Sequence, residues 1–310
     1  MTYKSPRSQL NNSNSSVLAN HKATTSRILQ LNDIPCPRFV YVNRPYTIAQ
    51  LDALLHEHHV PFPVVVKPVD GTQGYGVHLN VRSVEEIQTV CQQLRKHNKD
   101  RKDRKNNPNR KIIVEEQVDG ANYRIMVLRG EVFDVLKRRL ASVTGDGVHT
   151  LKQLIDTRNR KQKQHKRHPT HNVNWTYIRE QLEHGTGPDT VLPKGTTVNI
   201  TNIGNFHNGC NVERVPLSSV HPKHLQRFVK VNQVLGLTLS GIDYMGGSLD
   251  KAPGTEEDGY VIEVNDGPDL KMHEKALPVD RGVVGRFVDR VMDRSDRGTD
   301  RDTDRDTEEE

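Results

Sequence analysis

Val64-Val-Val-Lys67 is the segment that most constrains this chain. Three valines with no polar alternation form a short strand buried on both sides, and a lysine closes it. Three glycines follow within six residues, Gly71, Gly74 and Gly76. A loop this rich in glycine lets backbone N–H groups approach phosphate oxygens without side-chain interference. Lys67 adds a point charge for the same phosphates. No Gly-Lys-Ser/Thr follows, so this is not a Walker A loop, and no GxGxxG opens a helix directly. The run Val77–Val81 predicts a further strand instead. Taken by itself, the pattern serves equally well as an ordinary turn.

Charge is distributed unevenly. The formal net charge is +6, but residues 95–111 carry nine lysines and arginines against two acids, and residues 158–168 carry six against none. The remainder is therefore acidic, and both basic runs read as solvated loops. Neither interleaves aromatic residues as a base-stacking platform would, so nucleic acid is not an expected partner. No stretch approaches the roughly 18 apolar residues of a membrane span, and no apolar run marks a signal peptide. Cys36, Cys91 and Cys210 are odd in number and far apart, which excludes a disulfide framework and a CxxC metal site. A cytoplasmic location follows as the default.

Mean hydropathy is −0.73, diluted at both ends. Residues 1–16 read as a disordered leader and 293–310 as a disordered Asp/Arg/Thr-rich tail, leaving 17–292 as the working domain. Within it, helical spacing predicts helices over 18–31, 47–58, 83–96, 150–160, 221–235 and 276–292. Ser83 and Glu86 are spaced for a capping box. Strands are expected at 38–42, 112–118, 123–128, 131–136, 197–200 and 259–264. Helices mixed with antiparallel strands predict an α+β fold.

Two other segments carry chemistry. Alternation along 261–265 places Glu263 and Asn265 on one strand face. With Asp243 from Gly241-Ile242-Asp243-Tyr244 they offer oxygen ligands that suit Mg²⁺ or Mn²⁺, although a plain solvent face would look the same. Ile112–Gly120 ends a β-run in acids and a turn, and could offer backbone groups to a base. The fifteen histidines, among them His56, His58, His59, His165, His168 and His171, read as surface residues. Trp175, Tyr177 and Ile178 read as a local packing cluster, and the cysteines as structural.

In order along the chain stand Lys22 with Ala-Thr-Thr, Val66-Lys67-Pro68 with Asp70–Gly76, Val114-Glu115 through Tyr123-Arg124, Lys137-Arg138 with Gly145-Asp-Gly-Val-His-Thr150, Gly241-Ile-Asp243, and Glu263-Val-Asn265 with Met272-His273. This set resembles the ATP-grasp family over about 18–275. The nearest branch is that of the ATP-grasp domains of cyanophycin synthetases and bifunctional glutathione synthetases. The resemblance implies two α+β lobes with ATP between them and an ATP- and Mg²⁺-dependent carboxylate–amine ligase working on an amino acid or peptide through an acyl phosphate. Lys22 and Lys67 match phosphate-contacting lysines, and Gly71, Thr72, Gln73, Gly74 and Gly76 a flap over them. Glu115, Gln117 and Val118 match the adenine hinge, and Asn122 the ribose position. Asp243, Glu263 and Asn265 match the metal ligands, and Arg124 and Arg138 the basic residues beside the transferred phosphate and the acceptor carboxylate.

Some positions depart from the pattern. Thr201 stands where an arginine is usual and Cys210 where a glycine is usual, while Asp266 and Asp269 make the amine pocket more acidic. A non-catalytic nucleotide-binding regulatory module is the alternative. The match starts near Leu18, so the substrate domain that usually precedes it is expected to be absent or supplied by a partner. A homo-oligomer also fits the family habit.

Overall fold

The computed structural model describes residues 10–69, 76–96, 111–165, 167–182, 185–254, 258–275 and 282–292. The valine run lies where its burial demands, inside an antiparallel four-stranded sheet of order β1-β4-β2-β3. These strands are β1 (Phe39–Val42), β2 (Val64–Pro68), β3 (His78–Val81) and β4 (Ile112–Glu116). Helices α3 (Ile48–Glu57) and α4 (Val84–Lys96) cover one face. There Leu51, Leu55, Ile87 and Leu94 pack on Val64, Val66 and Val114. Strand alternation then turns Val65 and Lys67 to the opposite face. Thr47 and Gln50 form a capping box at α3. At α4 the box is displaced: Ser83 Oγ accepts from Glu86 N (3.2 Å), but the Glu86 carboxylate accepts from Arg82 N (2.7 Å).

The second sheet, also antiparallel, has the order β11-β10-β5-β6-β9. It holds β5 (Ala121–Leu128), β6 (Glu131–Arg139), β9 (Asn211–Arg214), β10 (Leu239–Gly246) and β11 (Tyr260–Asn265). One face packs on α1 (Ser13–Asn20), α2 (Lys22–Leu31) and α7 (Pro222–Leu235), where Leu29, Phe228, Val231 and Leu235 meet Tyr123, Ile125, Ile242 and Tyr244. A third small core joins β7 (Ser142–Thr144) and β8 (Thr197–Asn199) to α5 (Leu151–Gln164) and α6 (Trp175–Gln181). Ile178 is fully buried there with Trp175 against it, the local packing expected of this pair. Helices α8 (Leu270–Lys275) and α9 (Val283–Met292) lie toward the other face, where Leu270 and Phe287 pack beside Met126, Leu128 and Leu239.

Three expectations need correction. Residues 10–16 are not a free leader. Asn11 Oδ1 accepts from Thr238 N and Leu239 N, and its Nδ2 donates to Leu239 O and Asp266 O, all within 2.9 Å. Asn12 then caps α1. A polar segment ordered by distant backbone groups leaves no hydropathy signal. Second, the single helix expected over 18–31 is two helices, broken at His21, whose ring Nδ1 caps the second by accepting from Thr24 N. Third, residues 158–164 of the second basic run are helix rather than loop, because α5 continues to Gln164. Arg158 is drawn inward, donating to Thr170 Oγ1 (2.9 Å), Gly209 O (2.6 Å) and Asn211 Oδ1 (3.1 Å). Residues 97–110 of the other run, the first nine residues and the 293–310 tail lie outside the described residues.

Asn11→Ala removes all four side-chain bonds at once. The expected cost is about 1–3 kcal/mol, read as a lower urea midpoint. An unchanged midpoint would mean that the 10–16 segment is not held to the sheet.

Candidate active site

The five-stranded sheet sorts its residues by alternation. Its core face takes Tyr123, Ile125, Ile242, Tyr244 and Val264. The opposite face is a grid of polar cross-strand neighbours. Arg124 on β5 lies opposite Asp243 on β10, and Asp243 lies opposite Glu263 on β11. One row along, Arg138 is opposite Asn122, and Asn122 opposite Met245. On the other side, Gly241 is opposite Asn265. The register shifts between Asp243 and Tyr244, because Tyr244 pairs with Val261 rather than Ile262. This β-bulge inserts one extra residue, so Ile262 and Glu263 both line the cleft although they are adjacent in sequence.

The grid is an ion-pair network. Arg124 Nη1 donates to Asp243 Oδ1 (2.6 Å), and Arg138 Nη2 lies 3.2 Å from Asp243 Oδ2. Arg138 Nε donates to Asn122 Oδ1 (2.7 Å). Burial opposes ionisation of Asp243, but the guanidiniums of Arg138 and Arg124 outweigh it and hold its carboxyl below the usual range. The Arg124 guanidinium rests on the backbone of Gly241. A Cβ there would lie 2.5 Å from Nη2, so the glycine is a space requirement. Lys22 Nζ, from the start of α2, is 3.9 Å from Glu263 Oε1. Asn265 Nδ2 donates to Gly241 O (3.4 Å).

Across from this grid, the four-stranded sheet presents Lys67 and Glu115, which form an ion pair. Gln117 is tied to Asn80, accepting from its N–H (2.7 Å) and donating to its Oδ1 (2.9 Å). Between the sheets runs a cleft of about 1950 Å³. Lys67, Glu115, Gln117 and Val118 line it from one side, and Asn122, Arg124, Arg138, Asp243, Glu263 and Asn265 from the other, with Lys22 beside them. Gly71, Thr72, Gln73 and Gly74 lie outside the described residues. Gly76 does not line the cleft. It sits at φ +71, crowded by Leu94 and Pro68.

Other lining residues escaped the sequence reading. Val65 and Met245 each lie two residues from a recognised side chain, Lys67 and Asp243, so strand alternation could have found them. Ile262 reaches the cleft only through the bulge, which no pattern announces. His168, read as a surface residue, lines the cleft with His207 and Asp269. A buried network lies beside the grid, on the same face of β6, where Asp134 alternates with Leu136 and Arg138. His273, fully buried on α8, has Nδ1 2.7 Å from Asp134 Oδ2, and Arg214 Nε lies 2.9 Å from Asp134 Oδ1. Burial pushes the His273 imidazole below its usual value despite the Asp134 contact.

Thr201 and Cys210 do not line the cleft. Thr201 is buried, and its Oγ1 accepts from Ile203 N (3.2 Å). Cys210 packs with Leu136, Phe206 and Met272, and burial raises its thiol to about 11. Burial likewise raises Cys36 to about 12 and Cys91 to about 11, leaving all three as packing residues.

Residues 60–163 match the family model of an ATP-grasp domain. A cyanophycin synthetase from Synechocystis sp. is 33% identical over 263 residues, covering 83% of this chain and 28% of that protein. The chain belongs to the ATP-grasp family. A glutathione biosynthesis bifunctional protein from Streptococcus agalactiae is 26% identical over 68% of this chain and 28% of its own length. The chain thus spans under a third of these two relatives. Among solved structures, a bifunctional glutathione synthetase from Pasteurella multocida superposes on 91% of this chain and 37% of its own, at TM-score 0.56 and 20% identity. A D-alanine–D-alanine ligase from Bacillus anthracis covers 91% of this chain and 69% of its own, at TM-score 0.54 and 14% identity. These two likenesses show the ATP-grasp fold.

Gly241→Ala should push the Arg124 guanidinium off Asp243. The expected cost is about 1–3 kcal/mol of stability, and much less in an Arg124→Ala background, as measured by a denaturation double-mutant cycle. Equal costs in both backgrounds would remove Arg124 as the reason for the glycine.

Proposed function

We propose that the cleft binds ATP with Mg²⁺ (or Mn²⁺) and joins a carboxylate to an amine, on an amino acid or peptide, through an acyl phosphate. The observation that carries this is the convergence of Lys22, Lys67, Arg124 and Arg138 with Asp243, Glu263 and Asn265 on one cleft. The names of the relatives, synthetases of cyanophycin and glutathione and a D-alanine–D-alanine ligase, support a ligase of this class. A partner supplying the remaining substrate contacts belongs to the same proposal.

The donor set suits a hard cation. Among the described residues no three His, Cys, Asp or Glu side chains form a metal cluster, so the site rests on two carboxylates and the Asn265 amide. Mg²⁺ commonly takes one or two carboxylates and leaves its other positions to water and phosphate. When bound, it would neutralise phosphate oxygens.

The rest falls to the chain's own residues. Lys67 and Lys22 hold phosphates, and the ion pair with Glu115 aims the Lys67 ammonium. Glu115, Gln117 and the Val118 backbone hold the adenine, and Asn122 the ribose. Arg138 and Arg124, already fixed on Asp243, face the transferred phosphoryl group and the acceptor carboxylate. The carboxylate oxygen attacks the γ-phosphorus and ADP leaves. The amine nitrogen then displaces phosphate from the carbonyl carbon. Neither step needs a protein nucleophile. Positioning and preplaced charge supply the catalysis. The segment Gly71–Gly76 is assigned as the flap that keeps water from the acyl phosphate.

ADP release with ATP, Mg²⁺ and a panel of amino acids and dipeptides tests the reading. At least one pair should stimulate it, and Lys67→Ala should reduce the stimulated rate on the order of 10²–10³-fold. The regulatory-module reading draws on Thr201, whose side chain brings no charge to the cleft. It predicts thermal stabilisation by ATP with no stimulated ADP release. In both readings Asp243→Ala/Glu263→Ala should lose that stabilisation, and an undiminished shift in melting temperature would remove these residues from the nucleotide site.

A further inference from the structure

The second step poses a demand that the residues named so far do not meet. At neutral pH an amino acid's amine arrives as an ammonium, and its nitrogen has no lone pair until a proton leaves. Arg124, Arg138, Lys22 and Lys67 are cations and cannot take it. Glu115 and Glu263 are each engaged with one of those cations, and Asp243 with two. Histidine is the side chain whose unperturbed titration lies nearest neutrality. Among the described residues lining the cleft, His168 and His207 are the only histidines.

Their setting is built. His207 sits on the 3₁₀ turn Phe206–Asn208, where Asn205 Oδ1 accepts from the His207 backbone N–H (2.9 Å). The turn is anchored by Phe206, which is buried beside Leu136 and Met272. His207 Nε2 lies 3.9 Å from Asp269 Oδ2, and the His168 ring lies 4.9 Å from the His207 ring. His168 also meets the edge of Phe206 at 5.3 Å. Three separate stretches of chain thus place two imidazoles and a carboxylate in the lining of the cleft that also holds Arg138. A carboxylate beside one ring nitrogen orients an imidazole, leaving the other nitrogen to accept.

We propose that His207, backed by Asp269 and flanked by His168, is the general base that deprotonates the incoming amine. The proposal rests on the ligase reading above. His207 takes one proton from the ammonium. The freed nitrogen attacks the carbonyl carbon of the acyl phosphate and the C–O bond to phosphate breaks. The second proton leaves the nitrogen with the departing phosphate, and the imidazolium returns its own to water.

Hydroxylamine separates this role from a structural one, because its nitrogen is uncharged at neutral pH and needs no base. The full chain is incubated with ATP, Mg²⁺ and the twenty amino acids pooled, with and without hydroxylamine, and amide and hydroxamate are read by mass. In His207→Gln the amide-to-hydroxamate ratio should fall on the order of 10²-fold or more. Asp269→Asn, which keeps the imidazole, should lower it less. Equal loss of both products, or an unchanged ratio, overturns the assignment of His207. Absence of hydroxamate with the unaltered chain overturns the ligase reading itself, and the proposal falls with it.

Discussion

The arrangement of this cleft depends on one carboxylate held by two guanidiniums. Asp243 sits on β10, with Arg124 beside it on β5 and Arg138 reaching from β6, the next strand over. Taking such charges out of water costs several kcal/mol each, and the geometry must be good to offset it. That requirement reaches outward. Arg124 needs the space that Gly241 leaves, and Arg138 is fixed by Asn122. Removing one partner of a buried pair typically costs about 3–5 kcal/mol, because the survivor stays buried without its counter-charge. The residues nearest the proposed chemistry are therefore also among those that hold the sheet's register.

Much of this was legible in the sequence. The valine run gave a buried strand, and its terminal lysine emerges into the cleft because alternation leaves Val64 and Val66 to the core. The Glu263/Asn265 spacing correctly put both side chains on one face. The hairpin of β5 and β6 matches the strands expected at 123–128 and 131–136. What stayed hidden was tertiary. Asn11 is ordered by backbone groups more than two hundred residues away. Arg158 reads as one more charge in a basic run until its three acceptors are seen. Ile262 is displaced by a bulge. The approach of His207 to Asp269 needs two loops that composition treats as unrelated.

The two sheets divide the work by their chemistry. The four-stranded sheet brings Lys67 and Glu115 on adjacent strands. The five-stranded sheet brings paired arginines and carboxylates on strands packed against a large apolar core. Residues of both sheets line the cleft, so the binding free energy of a ligand spanning it would bear on how the two sheets are held together. Apolar residues from both sides, Val65 on one and Met245 with Ile262 on the other, give a flat group a surface that charges alone do not.

The four-bond anchor at Asn11 has a mechanical consequence. Its side chain bridges the start of β10 to the carbonyl of Asp266, the residue directly after Asn265. One amide side chain thus ties residue 11 both to β10 and to the residue after Asn265, a link that does not pass through the hydrophobic core. Displacing residue 11 would bear on the spacing between Asn265 and its neighbouring strand.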